Sequence, residues 1–348
     1  MKKTWWKILC MVLLLYAFVG GMLFPLSSSI QYTDAKPGTT GQPLTFNVFG
    51  YNTFYSKSDA VKAYLRKDST LDICATNVAV ISDRQLRVTF EVPERITEKP
   101  QAVNLSLVVD APHDGYSVLP QAISLTQLPS EAPRAQGCSI QSLSAGQGGI
   151  TFPFRNILEE TIRNLYYHVP LWFAMIILFF TSMIYSIRYL NKKQMRHSVL
   201  AAEFAKVGVL FGVLGLTTGM IWAKHTWGAY WNWDLRQNTA AIQVLIYVAY
   251  FILRDSFDDL EKKSRISAVY NIFAFATVIP LMFVIPRLSS SLHPGSGGNP
   301  ALGSNDLDNA MRMVFYPAII GFTLLGVWIS SLLTRLELAR LKFLDDDE

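Results

Sequence analysis

"HTWGAYWNWDLRQNT", residues 225–239, holds three of the chain's eight Trp within seven residues and follows them with Asp234 and Arg236. Apolar runs flank it at 203–222 and 237–254. Each run is close to the roughly 20 helical residues that cross a bilayer core. The aromatic cluster, a carboxylate and a guanidinium are thus expected at a membrane edge. Working outward, four more such runs lie at 5–25, 167–188, 266–286 and 313–334. Six transmembrane helices set the fold class: a mainly α, polytopic membrane protein. Composition agrees. Of 348 residues, 51% are hydrophobic and only 16% charged, whereas a soluble protein carries about a quarter charged.

The net charge of +5 is modest. The basic residues cluster beside apolar runs, not on a patch with exposed aromatics, so they read as topology signals and not as a nucleic-acid surface. "MKK" precedes the first run, "RYLNKKQMRH" (188–197) follows the second, "RDSFDDLEKKSR" (254–265) the fourth and "TRLELARLK" the sixth. Six spans put all four on one side, which predicts cytoplasmic termini. Residues 26–166, 223–236 and 287–312 then face the opposite side. The first run is expected to be an uncleaved anchor over 1–25, because no good A-x-A site follows it; a cleaved signal peptide is the alternative.

Residues 30–130 change character. "PLTFNVFGY", "QLRVTFEVP" and "QAVNLSLVVDAP" alternate apolar and polar positions between Gly, Pro, Asn and Asp punctuation, the signature of antiparallel strands. About seven strands suit an inserted all-β Ig-like sandwich, and "GYNTF" with "HDGYSVLPQAISL" loosely resembles IPT/TIG-type domains. Residues 131–165 read as a Ser/Gly-rich linker and then an interfacial amphipathic helix. The remaining domain, 166–348, holds five helices. Cys10 reads as packing within the first span. Cys74 and Cys138 lie in the exported region, where a disulfide is allowed. Their spacing matches no metal or redox motif, and a disulfide or two separate thiols both stay open.

Five His can be weighed singly. His197 falls in a basic cytoplasmic loop and His225 at a solvated span end. His113, in "PHDGY", superficially resembles the haem-binding His motif of the periplasmic chaperone CcmE. The spacing is one residue short, and Asp-Gly after a strand is ordinary turn chemistry. His168, in "YYHVPLWF", and His293, in "SSSLHPGSGGNP", are both predicted at the outer face, on either side of the Trp-rich loop. Two imidazoles from separate segments can supply both axial ligands of a haem iron. On a helix, Trp227, Tyr230, Trp231 and Asp234 would share one face, with Trp233 pointing elsewhere. Flat aromatics there could stack on a porphyrin. Arg236 could pair with a propionate, and Asp234 could orient an Arg or an indole N–H. The competing reading is an interfacial aromatic belt. Spacing alone does not name the ligand.

The pattern "WGAYWNWDLR" closely resembles the W-G-x-W-W-x-W-D signature of the WWD-domain, haem-handling family of cytochrome c biogenesis, with Tyr230 in place of one Trp. "LYYHVPLWFAM" and "SLHPGSG" resemble the two outer-face His segments of its CcmC type. Six spans with two outer His fit that type, and the resemblance runs from the first span to the sixth. The departure is an insertion of about 120 residues before the first of these His, where CcmC has a short loop. The resemblance implies a non-enzymatic haem-handling protein of the bacterial inner membrane, with residues 26–166 periplasmic. It implies haem b as cargo, a CcmE-like chaperone as recipient, and the ABC-type subunits CcmA and CcmB and the small CcmD as partners. Carried over, His168 and His293 are the axial ligands, and Trp227, Tyr230, Trp231, Trp233 and Asp234 form the platform, supported by Arg236. The rival classes are a membrane-anchored Ig-like binding module and a haem exporter subunit. Export calls for polar groups inside the spans. Gln243, Asn271, Thr217 and Thr218 are the few present, and such residues more often bond to a neighbouring helix.

Overall fold

The computed structural model describes residues 4–69, 71–138, 140, 142–146, 149–288, 291–293 and 307–346. They form two compact units, Met1–Phe24 with Glu160–Glu348, and Pro25–Glu159. The first three residues and the polar, Gly-containing run after His293 lie outside the described residues.

The helical unit consists of α1 (Trp5–Leu23), α2 (Leu165–Lys192), α3 (Met195–Trp227), α4 (Leu235–Asp255), α5 (Leu260–Ala276), the short α6 (Ile285–Leu288) and α7 (Asn309–Asp346). Each expected span falls on one of these helices, with α5, a π-helical turn at Ile279–Val284 and α6 sharing the fifth. Pro280, which has no amide to donate, lies in that π turn. Among the described residues, five segments are long and apolar enough to cross a membrane: Trp5–Leu23, Glu159–Lys192, Met195–Trp227, Leu260–Leu288 and Asn309–Phe343. The 21-residue α4 is more polar, burying Gln237, Thr239 and Gln243. Large apolar side chains point outward along α1, among them Ile8, Met11, Leu15 and Phe18, as befits an integral membrane protein whose solvent is hydrocarbon.

Helices α2 and α3 pack antiparallel through a stripe of glycines. A Cβ on Gly208, Gly212, Gly215 or Gly219 would fall within 3.0 Å of Phe179, Met175, Trp172 or His168 respectively. Four small residues thus let four large side chains of α2 lie directly on the α3 backbone. Two of the polar side chains inside the spans find partners on neighbouring helices. Asn271 donates to Ser182 and Ser186 at 2.7 and 2.8 Å. Gln243 donates to the Ala274 carbonyl and accepts from Thr277. Thr217 instead bonds back to Val213 within its own helix. Cys10 is buried against Gly321, in keeping with a packing role. Where α1 ends, the Arg163 guanidinium donates to the Gly21 and Phe24 carbonyls at 2.9 and 2.8 Å. It satisfies acceptors that a helix C-terminus leaves open and ties α1 to the start of α2.

The second unit is a two-sheet sandwich. Its strands are β1 (Ser29–Thr33), β2 (Gly38–Thr39), β3 (Pro43–Tyr51), β4 (Lys62–Asp68), β5 (Leu71–Cys74), β6 (Asn77–Ser82), β7 (Gln85–Glu91), β8 (Ala102–Ala111) and β9 (Gly115–Thr126). The sheets run β1-β3-β7-β6 and β2-β9-β8-β4-β5, antiparallel except for the β2–β9 pair. Phe46, Val48, Leu86, Val88 and Phe90 from one sheet and Leu65, Leu105, Leu107, Val109 and Leu125 from the other form one buried core. Among the described residues there are nine strands where the sequence predicts about seven. The run 71–82 breaks at Ala75–Thr76 and crosses between sheets, and β2 is only two residues long. His113 lies in the β8–β9 turn, where Gly115 takes a φ of +88°.

Two expectations for 131–165 are corrected. The Ser/Gly-rich stretch is pinned to the sandwich: Ala135 donates to Arg95, Cys138 to Asp72, and Ser144 to the Asp110 carboxylate. Cys74 and Cys138 form a disulfide, which resolves the open pairing. No amphipathic helix covers 150–167. Phe152 instead forms a bridge with Leu26, and Ile157 is exposed. Glu159 takes a left-handed φ of 44°, and a single 3-10 segment, Glu159–Asn164, leads into α2. By closing a loop of 64 residues, the disulfide should contribute about 4 kcal/mol. Reduction is therefore expected to speed tryptic cleavage after Arg134 in the intact chain, as followed by mass spectrometry.

Candidate functional site

The Trp-rich stretch is not one helical face. Helix α3 ends at Trp227, and Gly228 takes the left-handed C-cap at φ +83°. Helix α4 begins at Leu235, with Asp234 as N-cap accepting from the Arg236 amide at 2.9 Å. Residues 228–234 between them form a loop. The physical reason lies in the stretch itself: Gly after the last turn and Asp before the next are strong stop and start signals. Two side chains from the first turn of α4 hold the loop. Gln237 accepts from the Asn232 amide and donates to the Tyr230 carbonyl, while Asn238 donates to the Trp233 carbonyl.

Asp234 does more than cap. Its buried carboxylate accepts from the Ser291 hydroxyl, the Leu292 amide at 2.9 Å and His293 Nδ1 at 3.0 Å. Burial alone would raise its pKa. The hydrogen bonds from His293, Leu292 and Ser291 outweigh burial and hold the carboxyl well below the usual carboxylate range. An ionised carboxylate only accepts, so His293 Nδ1 carries a proton, and the ring in its neutral form keeps its lone pair on Nε2. That Nε2 has no hydrogen-bond partner among the described residues. Trp227 packs edge-on to the His293 ring at 5.0 Å between centroids, and Trp222 lies 6.0 Å away.

His168 stands in the first turn of α2 and rests on Gly219. The Thr218 hydroxyl gives its proton to carbonyls of its own helix, Leu214 at 2.9 Å or Gly215 at 3.0 Å. Its oxygen is then left to accept from His168 Nδ1 at 3.0 Å. Here too Nδ1 carries the proton and Nε2 the lone pair. That lone pair accepts from the Trp172 indole N–H at 3.2 Å. Trp222 lies one turn beyond Thr218 on α3, so the α3 contacts of the two imidazoles fall about a turn apart along that helix.

The structure therefore brings His168, His293, Trp227 and Asp234 to one end of the helical unit. Tyr230, Trp231 and Trp233 occupy the loop beside them. Trp231 packs edge-on to Trp233 at 6.4 Å, and Lys224 lies over Tyr230. Tyr230 and Trp233 are 55% and 79% exposed, surface on which a flat ligand can lie. Arg236 sits in the first turn of α4. Trp172, Thr218, Gly219, Trp222 and Ser291 belong to the same environment and were not assigned to the site from sequence. Trp172 stands at i+4 from His168 on a helix, a spacing visible in "HVPLW".

These features define a class: a polytopic membrane protein that presents two imidazoles, each fixed through Nδ1, beneath a Trp-rich loop. The family model CcmC, described as heme exporter protein C, matches residues 140–345, more than half of the 348 residues, and the chain belongs to this family. Heme exporter protein C of Bradyrhizobium diazoefficiens is 29% identical over 184 residues, covering 52% of this chain and 68% of the relative. The proteins of the same name from Paracoccus denitrificans and Escherichia coli K12 are 24% and 26% identical. They cover 52% and 51% of this chain and 74% and 70% of their own lengths. The family match begins at residue 140, so most of the β unit lies outside it.

Proposed function

We propose that this chain handles haem for cytochrome c maturation. It binds haem b at the outer face of the bacterial inner membrane, with His168 and His293 as axial ligands, and passes it to a CcmE-like periplasmic chaperone. The observation that carries the reading is the matched chemistry of the two imidazoles. Each is oriented through Nδ1, by a carboxylate or a hydroxyl, and bears its lone pair on Nε2. Iron-ligating His side chains are held in this way by their outer-shell partners. Trp227, Tyr230, Trp231 and Trp233 offer the porphyrin aromatic surface, with Arg236 for a propionate. We read the chain as a transfer protein that promotes haem attachment to the chaperone, and not as an enzyme.

The orientation rests on charge. The His-bearing end of the helices lies opposite the basic segments 188–197 and 254–265, which favours an outer-face site with cytoplasmic termini. The named relatives support the haem role. ABC-type subunits CcmA and CcmB and a CcmD-like protein are the partners we propose with it. Full-length protein purified in detergent should show a Soret band on addition of ferric haem. His168→Ala and His293→Ala should each lose or markedly shift it. Wild-type spectra from both variants would overturn the ligand assignment, and a chain that never takes up colour would favour the Ig-like binding module.

A further inference from the structure

The two imidazoles differ in one respect. His293 keeps its Nε2 lone pair unpartnered among the described residues, whereas that of His168 accepts from Trp172 at 3.2 Å. The rings of His168 and Trp172 are near-perpendicular, 80° apart with centroids 6.0 Å apart, which suits an indole N–H aimed at the imidazole edge. An sp² nitrogen has one lone pair, in the ring plane. A hydrogen bond and a bond to iron need the same electrons in the same direction and exclude each other.

We propose that Trp172 is a built-in competitor for His168, a reversible cap that lowers the affinity of this side of the site and speeds release of the cargo. The inference rests on the haem reading above. Three observations support it. First, the cap is held in place: the Trp172 indole lies on Gly215, where a Cβ would come within 2.8 Å of its ring, just as His168 lies on Gly219 one turn further along α3. Competitor and ligand are thus docked side by side on one backbone surface. Second, the tautomer is preset. Thr218 accepts a hydrogen bond from Nδ1, so the neutral ring offers its lone pair on Nε2, either to the indole or to a metal. Third, the outer partners are unequal. Asp234 places a full negative charge behind His293, while His168 has only a hydroxyl, and the charged partner makes the better iron ligand. When iron occupies His168, the indole N–H loses its acceptor, and an unmet donor that is partly buried costs free energy. The cost falls only on the bound state, so affinity drops and departure quickens. A carrier that must surrender its cargo benefits from one such conditional ligand.

The test uses the full-length chain in detergent loaded with ferric haem. The readouts are the low-spin fraction by electron paramagnetic resonance and the rate of haem loss to excess apomyoglobin. Trp172→Phe removes the N–H and keeps a ring. β-(3-benzothienyl)alanine at position 172 keeps the indole shape with sulfur in place of N–H, which guards against a packing effect. Both should raise the six-coordinate low-spin fraction and slow haem loss about three- to tenfold, the range of one neutral hydrogen bond. In a His168→Ala background neither change should matter. Equal rates and spin states in wild type and both variants would overturn the proposal, as would slowing that persists without His168. If unsubstituted protein binds no haem, the haem reading falls and this one with it. If haem binds and residue 172 has no influence, only this one falls.

Discussion

Asp234→Ala is expected to weaken haem binding about 100-fold, the upper end of what loss of an outer-shell ligand partner costs. The carboxylate is where three structural tasks meet. It caps α4 through the Arg236 amide, gathers Ser291 and Leu292, and fixes the tautomer and direction of His293. Asp234→Asn separates these tasks. An amide oxygen still caps the helix, but the charge behind the imidazole is gone, and about a tenfold loss is expected. Haem titration followed by Soret absorbance gives both values. An Asp234→Ala protein that binds as tightly as wild type would show that His293 needs no such anchor. The pH dependence has a definite sign. Because the Asp234 pKa is depressed, its contribution is fully present above the unfolded carboxylate value of about 3.9 and fades only as pH falls below that. Between pH 8 and 5 the clamp stays charged.

The aromatic stretch itself shows what sequence could and could not reveal. Apolar runs of about 20 residues marked the spans because hydrocarbon demands them. The helices then proved longer, since α3 continues with polar turns at both ends of 203–222. His168 and His293 emerged by weighing five His, an easy search in a chain so poor in them. The loop is not legible from helical spacing, although its signals stand in "WGAYWNWDL": a Gly and an Asp there stop one helix and start the next. The bond from Asp234 to His293 spans 59 residues and the disulfide 64, and no local pattern encodes such pairings. Thr218 was visible as a polar residue within a span, but its partner was not. The glycines of α3 were equally plain, and their meaning depended on which helix lay against them.

Those glycines yield the second large effect, through a contrast with Gly228. Gly219 lies within a helix, where Ala is the better former, so by propensity alone Gly219→Ala should stabilise α3. The structure predicts the opposite for the site. A Cβ there would stand 2.7 Å from His168 Cε1, closer than packed carbons approach, so the imidazole must leave the surface that positions it. Its bond to Thr218, and with it the preset tautomer, should go too. About a tenfold loss of haem affinity is expected for Ala and near-complete loss of six-coordination for Gly219→Leu, read from the Soret position and the low-spin signal. Gly228→Ala is the matched control. Among the described residues nothing lies within 4 Å of its Cβ, but its φ is +83°, and an L-residue pays roughly 1–2 kcal/mol for that left-handed backbone. It should lower thermal stability while leaving the spectrum of the surviving folded protein unchanged. Identical spectra for Gly219→Ala and wild type would mean that His168 has room to move, and would contradict the close packing of α2 on α3.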